Sequence, residues 1–329
     1  MKKALITGGA GFIGYYLACN LVQRNYRVDL IDNFKRGIKD SFLEDLSNKD
    51  NVNLINLDLL DIRALDEFER DYDFIFHFAA IIGVQHVLKA PYDVLTKNIE
   101  LLQNIIAFSR KQEHLERLIF TSTSEVYAGT LKHFSIKIPT PENTPLALPD
   151  LSENRTSYML SKIYGEALCL NSGLPVTIVR PHNFYGPRMG LSHVIPELFK
   201  KAFYSENNEL EVFSLEHRRT FCFIEDAVEM IRILAESEES LKEVFNIGNE
   251  SPEISIEELA KKIIKIAGKD LIIKQGPVTP GSPNRRCPDM SKTIKVTGYK
   301  SLTGIDDGLE KTFNWYKSNI FLSEGRSAI

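Results

Sequence analysis

Through the first half of the chain, short apolar runs rich in β-branched residues alternate with longer stretches of helical period. The runs are Ala4 to Thr7, Arg27 to Ile31, Val52 to Leu57, Phe74 to Phe78, Leu118 to Ser122 and Val176 to Arg180. Continuous apolar runs of this length read as strands buried on both faces, and the helical stretches between them supply the crossovers that parallel strands need. The pattern predicts an α/β fold: a doubly wound parallel sheet of Rossmann type with helices on both faces. Two helical stretches are long, from about Tyr92 to Arg110 and from about Asn154 to Leu170, each broken by Pro or Gly only at its ends. They are expected to pack on the sheet, and they also offer faces for pairing with a second copy in a homodimer. Between them Thr130 to Asp150, rich in Pro and Thr, reads as a long surface loop of the kind that borders active sites.

After Pro181 the alternation weakens. Helical patterns near Val194 to Tyr204, Glu225 to Glu236 and Ser255 to Ala267 are separated by short strands such as Glu243 to Ile247. Residues 1–180 are therefore expected to form the dinucleotide-binding domain. Residues 181–329 are expected to form a smaller mixed region that binds substrate, with some segments returning to the main sheet. No internal repeat is visible, and Ser323 to Ile329 reads as a frayed tail.

Composition narrows the partners. With 43% hydrophobic residues in 329, the chain can build a large core; a formal charge of −4 and a pI near 6.0 argue against nucleic acid. No stretch approaches eighteen uncharged apolar residues, and Met1 runs directly into a strand pattern, so the expectation is a cytoplasmic protein with no membrane partner. Cys19, Cys169, Cys222 and Cys287 are scattered, and neither they nor His77, His86, His182 and His193 show metal-ligand spacing; no metal is expected. His77 at a strand end should pack or hydrogen-bond there, and His182 and His193 flank the segment after Arg180, where contact with a ligand is an expectation.

The first strand runs into Thr7-Gly8-Gly9-Ala10-Gly11-Phe12-Ile13-Gly14, which opens a helix. Gly8, Gly11 and Gly14 at this spacing permit a tight turn and let backbone N–H groups approach a pyrophosphate at the helix N-terminus. The second strand ends in Asp32-Asn33. A carboxylate there accepts from the adenosine ribose hydroxyls and repels a 2′-phosphate, so NAD is expected rather than NADP, with Arg36 as a solvated surface charge. Asp58-Leu59 follows the third strand, where the Asp either caps the next helix or meets the adenine amino group.

Tyr158 and Lys162 fall on one face of a helical stretch, one turn apart. An ammonium beside a phenol favours the phenolate, which can take a proton from a sugar hydroxyl as hydride leaves. Upstream, Thr123-Ser124-Glu125-Val126-Tyr127 puts hydroxyls at the carboxyl end of a strand, where open α/β sheets hold ligands.

These stations, with His77-Phe78-Ala79-Ala80, Asn98, Arg180 to Arg188 and Arg219 to Asp226, resemble in order the extended short-chain dehydrogenase/reductases, in their nucleotide-sugar epimerase, dehydratase and decarboxylase branch. The resemblance covers almost the whole chain. It implies an NAD-dependent enzyme of polysaccharide biosynthesis that oxidises C4 of a nucleoside-diphosphate sugar. Tyr158 would be the acid/base, tuned by Lys162, with Thr123 on the reacting hydroxyl. Gly8, Gly11, Phe12, Ile13, Gly14, Asp32, Asn33, Asp58, Leu59, Phe78, Ala79, Ala80, Asn98, Tyr158 and Lys162 would meet the cofactor. Ser124 and Asn183 would meet substrate, and Arg219 with one of Arg285 or Arg286 (Arg286 taken first) would clamp the pyrophosphate.

Glu125 bears on the step after oxidation. A carboxylate beside the oxidised sugar can abstract an acidified C5 proton or orient substrate. The dTDP-glucose dehydratases precede that Glu with an Asp, where this chain has Ser124. Thr-Ser-Glu instead resembles the triplet of GDP-mannose dehydratases and UDP-glucuronate decarboxylases, so epimerisation, dehydration and decarboxylation all stay open. A net 4-dehydrogenase that releases keto sugar and NADH is the alternative, and a non-catalytic dinucleotide sensor is a further one.

Overall fold

The computed structural model describes residues 1–279 and 281–324, apart from the side chains of 84–86 and 324, so the His86 imidazole and most of the tail lie outside what is described. Seven strands form one parallel sheet: β1 (Lys3–Thr7), β2 (Arg27–Asp32), β3 (Val52–Asn56), β4 (Phe74–His77), β5 (Arg117–Thr121), β6 (Val176–Pro181) and β7 (Glu243–Ile247). Their order is β7-β6-β5-β4-β1-β2-β3. Every residue of β1, β4 and β5 is buried, which is why these strands read as unbroken apolar runs rather than as alternation.

Helices cover both faces. On one face α1 (Phe12–Gln23) packs Leu17, Ala18 and Leu21 beside Ala227, Ile231 and Leu234 of a helix from the second half of the chain. On the other, α2 (Pro91–Ser109) and α3 (Thr156–Leu170) lie against Leu5, Ile75, Leu118 and Ile178, with Leu102, Ile105 and Cys169 buried between helix and sheet. A third cluster, around Phe199, Leu259 and Phe313, is built wholly from residues after 184. It holds α4 (Val194–Tyr204), α6 (Ile256–Ile266) and α7 (Ile305–Tyr316), while α5 (Ile224–Glu236), the helix beside α1, and β7 pack on or pair with the main sheet.

Register places the chemistry. Thr7 lies level with Ile31 on one side and with His77 on the other, and Thr121 lies level with Val179. The chain therefore leaves β1, β2, β4, β5 and β6 along a common carboxyl edge, the place where such sheets hold ligands. The long loop predicted from Thr130 begins inside a short helix, Ala128–His133. Further on it is tied to the C-terminal half by Thr140 N–H to the Cys287 carbonyl and Asp289 N–H to the Thr140 carbonyl, both at 2.9 Å.

Candidate active site

The glycine turn is held by the sheet itself. Gly8 and Gly9 N–H both donate to the Ile31 carbonyl, and Gly8 has φ +70°, a conformation costly to any residue with a Cβ. A Cβ on Gly14 would stand 2.3 Å from the Gly8 carbonyl oxygen. Gly11 precedes α1 as its cap residue with no side-chain cap hydrogen bond, and no acidic residue lies in the first turn, so no anion from that turn meets the first N–H groups. This cradle fits a dinucleotide pyrophosphate. Phe12 and Ile13 behind the turn are half-buried against the core.

Asp32 sits at the end of β2 with its carboxylate accepting from Ala10 N–H at 3.1 Å and Phe34 N–H at 2.8 Å. Burial pushes its pKa up; those two N–H groups and Arg36 oppose the shift. Asp58 does not cap the following helix: Asp61 does, accepting from Arg63 and Ala64 N–H. Asp58 instead takes Leu60 N–H, the Asn33 amide and the Lys35 ammonium, so it braces the Asn33 loop, while Leu59 turns into the core. Phe78 and Ala79 N–H reach back to the Thr7 carbonyl and hydroxyl, fixing the turn that carries Ala80. Asn98 is spent internally: it exchanges hydrogen bonds with Ile81 N–H and carbonyl and reaches the Ser161 hydroxyl, joining α2 to α3. His77 does hydrogen-bond at its strand end, with Thr7 at 2.9 Å.

α3 brings Tyr158 beside Thr123, whose hydroxyl meets the phenol. Lys162 is buried, its ammonium 2.8 Å from the Thr121 carbonyl, 4.9 Å above the Phe120 ring and 5.9 Å from the Tyr158 ring centre. Here the structure differs from the expected tuning. Burial, and after it the Glu125 carboxylate, raise the Tyr158 pKa, and the charge that lowers it comes from Arg36 rather than Lys162. The lysine is turned to the end of β5 instead, and its own pKa is pulled down to about 8 by burial. Arg36, expected as a solvated charge, thus acts on both Asp32 and Tyr158.

Across from Tyr158, Glu125 stands on the turn that Thr123 caps, and Arg286 Nη2 donates to its Oε1 at 2.9 Å. Arg286 Nη1 approaches the Ser124 hydroxyl at 3.4 Å, and its Nε is buried with no partner among the described residues. Arg286 lowers the Glu125 pKa, with Arg155 and Arg219 adding to it against burial. Of the two neighbouring arginines, Arg285 points outward to Glu253. The expected pyrophosphate clamp is altered in turn, because Arg286 is committed to the carboxylate of Glu125. Arg219 lies level with Arg286 in a small sheet, its guanidinium held by the Arg218 and Pro283 carbonyls and the Ser282 hydroxyl. Asn183, at φ +44°, donates to the Thr220 carbonyl. His182 is buried against Asn246.

The sequence reading did not single out Arg155, and it placed Arg36 at the surface rather than near Tyr158. Arg155 lies three residues before Tyr158, so helical spacing could have flagged it. Arg36 lies four beyond Asp32 in a loop, and no periodicity signals where its side chain reaches. Among the described residues no group of three or more His, Cys, Asp or Glu could hold a metal ion, and no helix is long and apolar enough to cross a membrane.

Residues 4–248 match the model of the NAD dependent epimerase/dehydratase family. The UDP-N-acetyl-alpha-D-glucosaminuronate decarboxylase of Bacillus cytotoxicus is 34% identical to this chain over 96% of it and 98% of the relative. UDP-glucuronic acid decarboxylase 2 of Arabidopsis thaliana is 28% identical over 99% of this chain and 71% of the relative. Among solved structures, the UDP-glucuronic acid 4-epimerase of Bacillus cereus, in complex with UDP-glucuronic acid and NAD, superposes with a TM-score of 0.80 at 27% identity, covering 96% of this chain and 99% of that one.

Proposed function

The chain belongs to the NAD dependent epimerase/dehydratase family, and from that premise we propose that it decarboxylates a nucleoside-diphosphate uronic acid after oxidising it at C4. It is an NAD-dependent enzyme of nucleotide-sugar modification. The observation that carries the finer reading is the Glu125–Arg286 pair beside Thr123 and Tyr158. A guanidinium with a free, buried Nε–H at the sugar end of the site is suited to a carboxylate. Glu125, its pKa held down by Arg286, is correspondingly a weak base for the C5 proton, which dehydration would require. Loss of CO2 requires no base.

Bound NAD supplies the hydride acceptor and later the donor. Thr123 positions the C4 hydroxyl and Tyr158 takes its proton. Oxidation makes the C6 carboxylate β to a ketone; the C5–C6 bond then breaks, its electron pair passes into the C4 carbonyl, and CO2 leaves. The Tyr158 and Thr123 hydroxyls stabilise the resulting enolate oxygen, and C5 takes a proton from water. Lys162, its ammonium on the Thr121 carbonyl, packs under the Tyr158 ring and fixes the end of β5 beside it.

Ser124, Asn183 and Arg219 line the substrate side in this reading, and Gly8, Gly11, Gly14 and Asp32 hold the dinucleotide. All four cysteines are free thiols, which accords with a reducing, cytoplasmic setting. Tyr92 and Tyr164, exposed on α2 and α3, offer surface for a homodimer. The test is to incubate the enzyme with UDP-N-acetylglucosaminuronate and with UDP-glucuronate, reading product mass and NADH absorbance. Loss of one CO2 per sugar supports the proposal. An isomer of unchanged mass, loss of water, or loss of two hydrogens with accumulating NADH would overturn it in favour of epimerase, dehydratase or net dehydrogenase respectively.

A further inference from the structure

Behind the catalytic residues lies a buried polar network that the chemistry above does not use. Glu166, one turn along α3 from Lys162, takes Arg180 in a bidentate grip, with Nε to Oε1 at 2.8 Å and Nη2 to Oε2 at 2.7 Å. Both side chains are almost fully buried. The Ser122 hydroxyl donates to Glu166 Oε1 at 2.5 Å. From the other side of the guanidinium, Nη1 donates to the Tyr127 hydroxyl at 2.7 Å, which donates in turn to Asn246 Oδ1 at 2.9 Å. Asn246 continues to the carbonyls of Thr140 and Asp289.

The network touches each segment that supplies a reacting group. Ser122 and Tyr127 bracket Thr123, Ser124 and Glu125. Glu166 lies on the helix of Tyr158 and Lys162, and Asp289 is three residues beyond Arg286. Burying a charge pair costs desolvation that an apolar pair of equal volume would avoid, so stability is a weak reason for its presence.

We propose that Glu166 and Arg180 are a positioning pair for the reaction: with the carboxylate one helical turn from Lys162, the buried ion pair and its hydrogen bonds to Ser122 and Tyr127 hold the three catalytic segments in one register. The surroundings of Lys162 show what such a carboxylate adds there. From β5 it meets the Phe120 ring and the Thr121 carbonyl, and from β4 it faces His77, which stays neutral because burial and Lys162 itself push its pKa down to about 3. On its own helix it meets Tyr158, Cys169 and Glu166; burial raises the Cys169 thiol to about 12, so that thiol is uncharged at neutral pH. Glu166 is then the negative charge that opposes deprotonation of the ammonium.

The inference rests on Lys162 being part of the reacting machinery, and the experiment tests both. The kcat–pH profile of the wild-type enzyme, loaded with NAD, should fall on the alkaline side near pH 8 as Lys162 loses its proton. In Glu166→Gln that limb should move down by about one pH unit, the size of effect expected from an adjacent opposite charge, with kcat reduced roughly 10- to 100-fold and KM little changed. Because Glu166→Gln leaves Arg180 buried without its partner, the double variant Glu166→Met/Arg180→Leu is measured beside it. There the fold should recover while the limb stays shifted and kcat stays low. An alkaline limb at the wild-type pH in both variants overturns the proposal and leaves a structural brace. A limb that persists unchanged in the residual activity of Lys162→Met overturns the assignment of Lys162 itself.

Discussion

Acidification from pH 7 to pH 5 should cost this fold about 4 kcal/mol through two imidazoles, one on each flank of the site. His77 and His182 are 2% and 1% exposed. Burial, helped by the Lys162 charge, pushes His77 down to about 3; burial does the same to His182, with Arg286 and Arg180 opposing protonation further and Asn246 working against the shift. In the unfolded chain both titrate near the ordinary value of about 6.5. Between the two values the unfolded chain binds more protons than the folded one, so the contribution is fully present above about pH 6.5 and is lost as pH falls toward 3. At pH 5 the gap from the unfolded value is about 1.5 pH units, or about 2 kcal/mol per imidazole. Two of them remove a large part of a typical folding free energy of about 5–15 kcal/mol. Urea unfolding at pH 7, 6 and 5 would measure this, for the wild type and for His77→Asn and His182→Asn, which keep a polar group for Thr7 and Asn246. Each substitution should remove about half of the loss. His193 and His217, whose pKa values are also lowered, add a background of the same sign to every variant, whereas the depressed carboxylates Asp58, Glu125 and Asp226 act at lower pH. Wild-type stability that is flat from pH 7 to 5, or variants that keep the full slope, would refute the reasoning.

Tyr158→Phe should lower turnover by roughly 10²- to 10⁴-fold while NAD affinity, read by calorimetry, stays within a few-fold of wild type; retained turnover would remove the phenol from the chemistry. Gly14→Ala places a Cβ 2.3 Å from the Gly8 carbonyl, so the same calorimetry should show NAD binding lost, and wild-type affinity would contradict the cradle assigned to that turn. Arg286→Met should raise KM for a uronate at least tenfold without changing affinity for NAD, and an unchanged KM would detach Arg286 from the substrate carboxylate. Asp226 accepts from the Tyr299 and Ser301 hydroxyls and from Leu302 and Thr303 N–H. Asp226→Ala strands those donors and should cost about 3 kcal/mol in urea unfolding, with loss of less than about 1 kcal/mol arguing that water replaces it.

The centre of the sheet could be read from the sequence because β1, β4 and β5 carry their burial in their own residues, and Glu243 to Ile247 was visible through its buried last three residues. The glycine turn and the Tyr158–Lys162 pair were legible because both are local, set by neighbours within one turn of chain. What escaped is fixed by distant register. Arg285 and Arg286 are alternate sides of one short strand, and only its pairing with Arg218 and Arg219 decides which turns toward Glu125, 161 residues earlier in the chain. Lys162 could be placed on the correct face of its helix, but not aimed: the Thr121 carbonyl that draws its ammonium belongs to another element. Glu166 with Arg180, and Arg36 near Tyr158, are likewise pairings that no spacing announces.

The return of β7 to the sheet has a consequence for how this protein is made. β6 ends at Pro181, and its outer edge is paired by β7, which begins at Glu243. On the ribosome the open edge of β6 must therefore wait while some sixty further residues are synthesised, and the α1 face, complete at Gln23, waits for α5 until Ile224 and beyond. An unpaired apolar edge held open in this way is a site for chain-to-chain pairing. Nascent chains stalled between Pro181 and Glu243 are the species in which chaperone engagement or aggregation should concentrate, and a fragment cut at that boundary would carry the complete glycine turn on a sheet that cannot close.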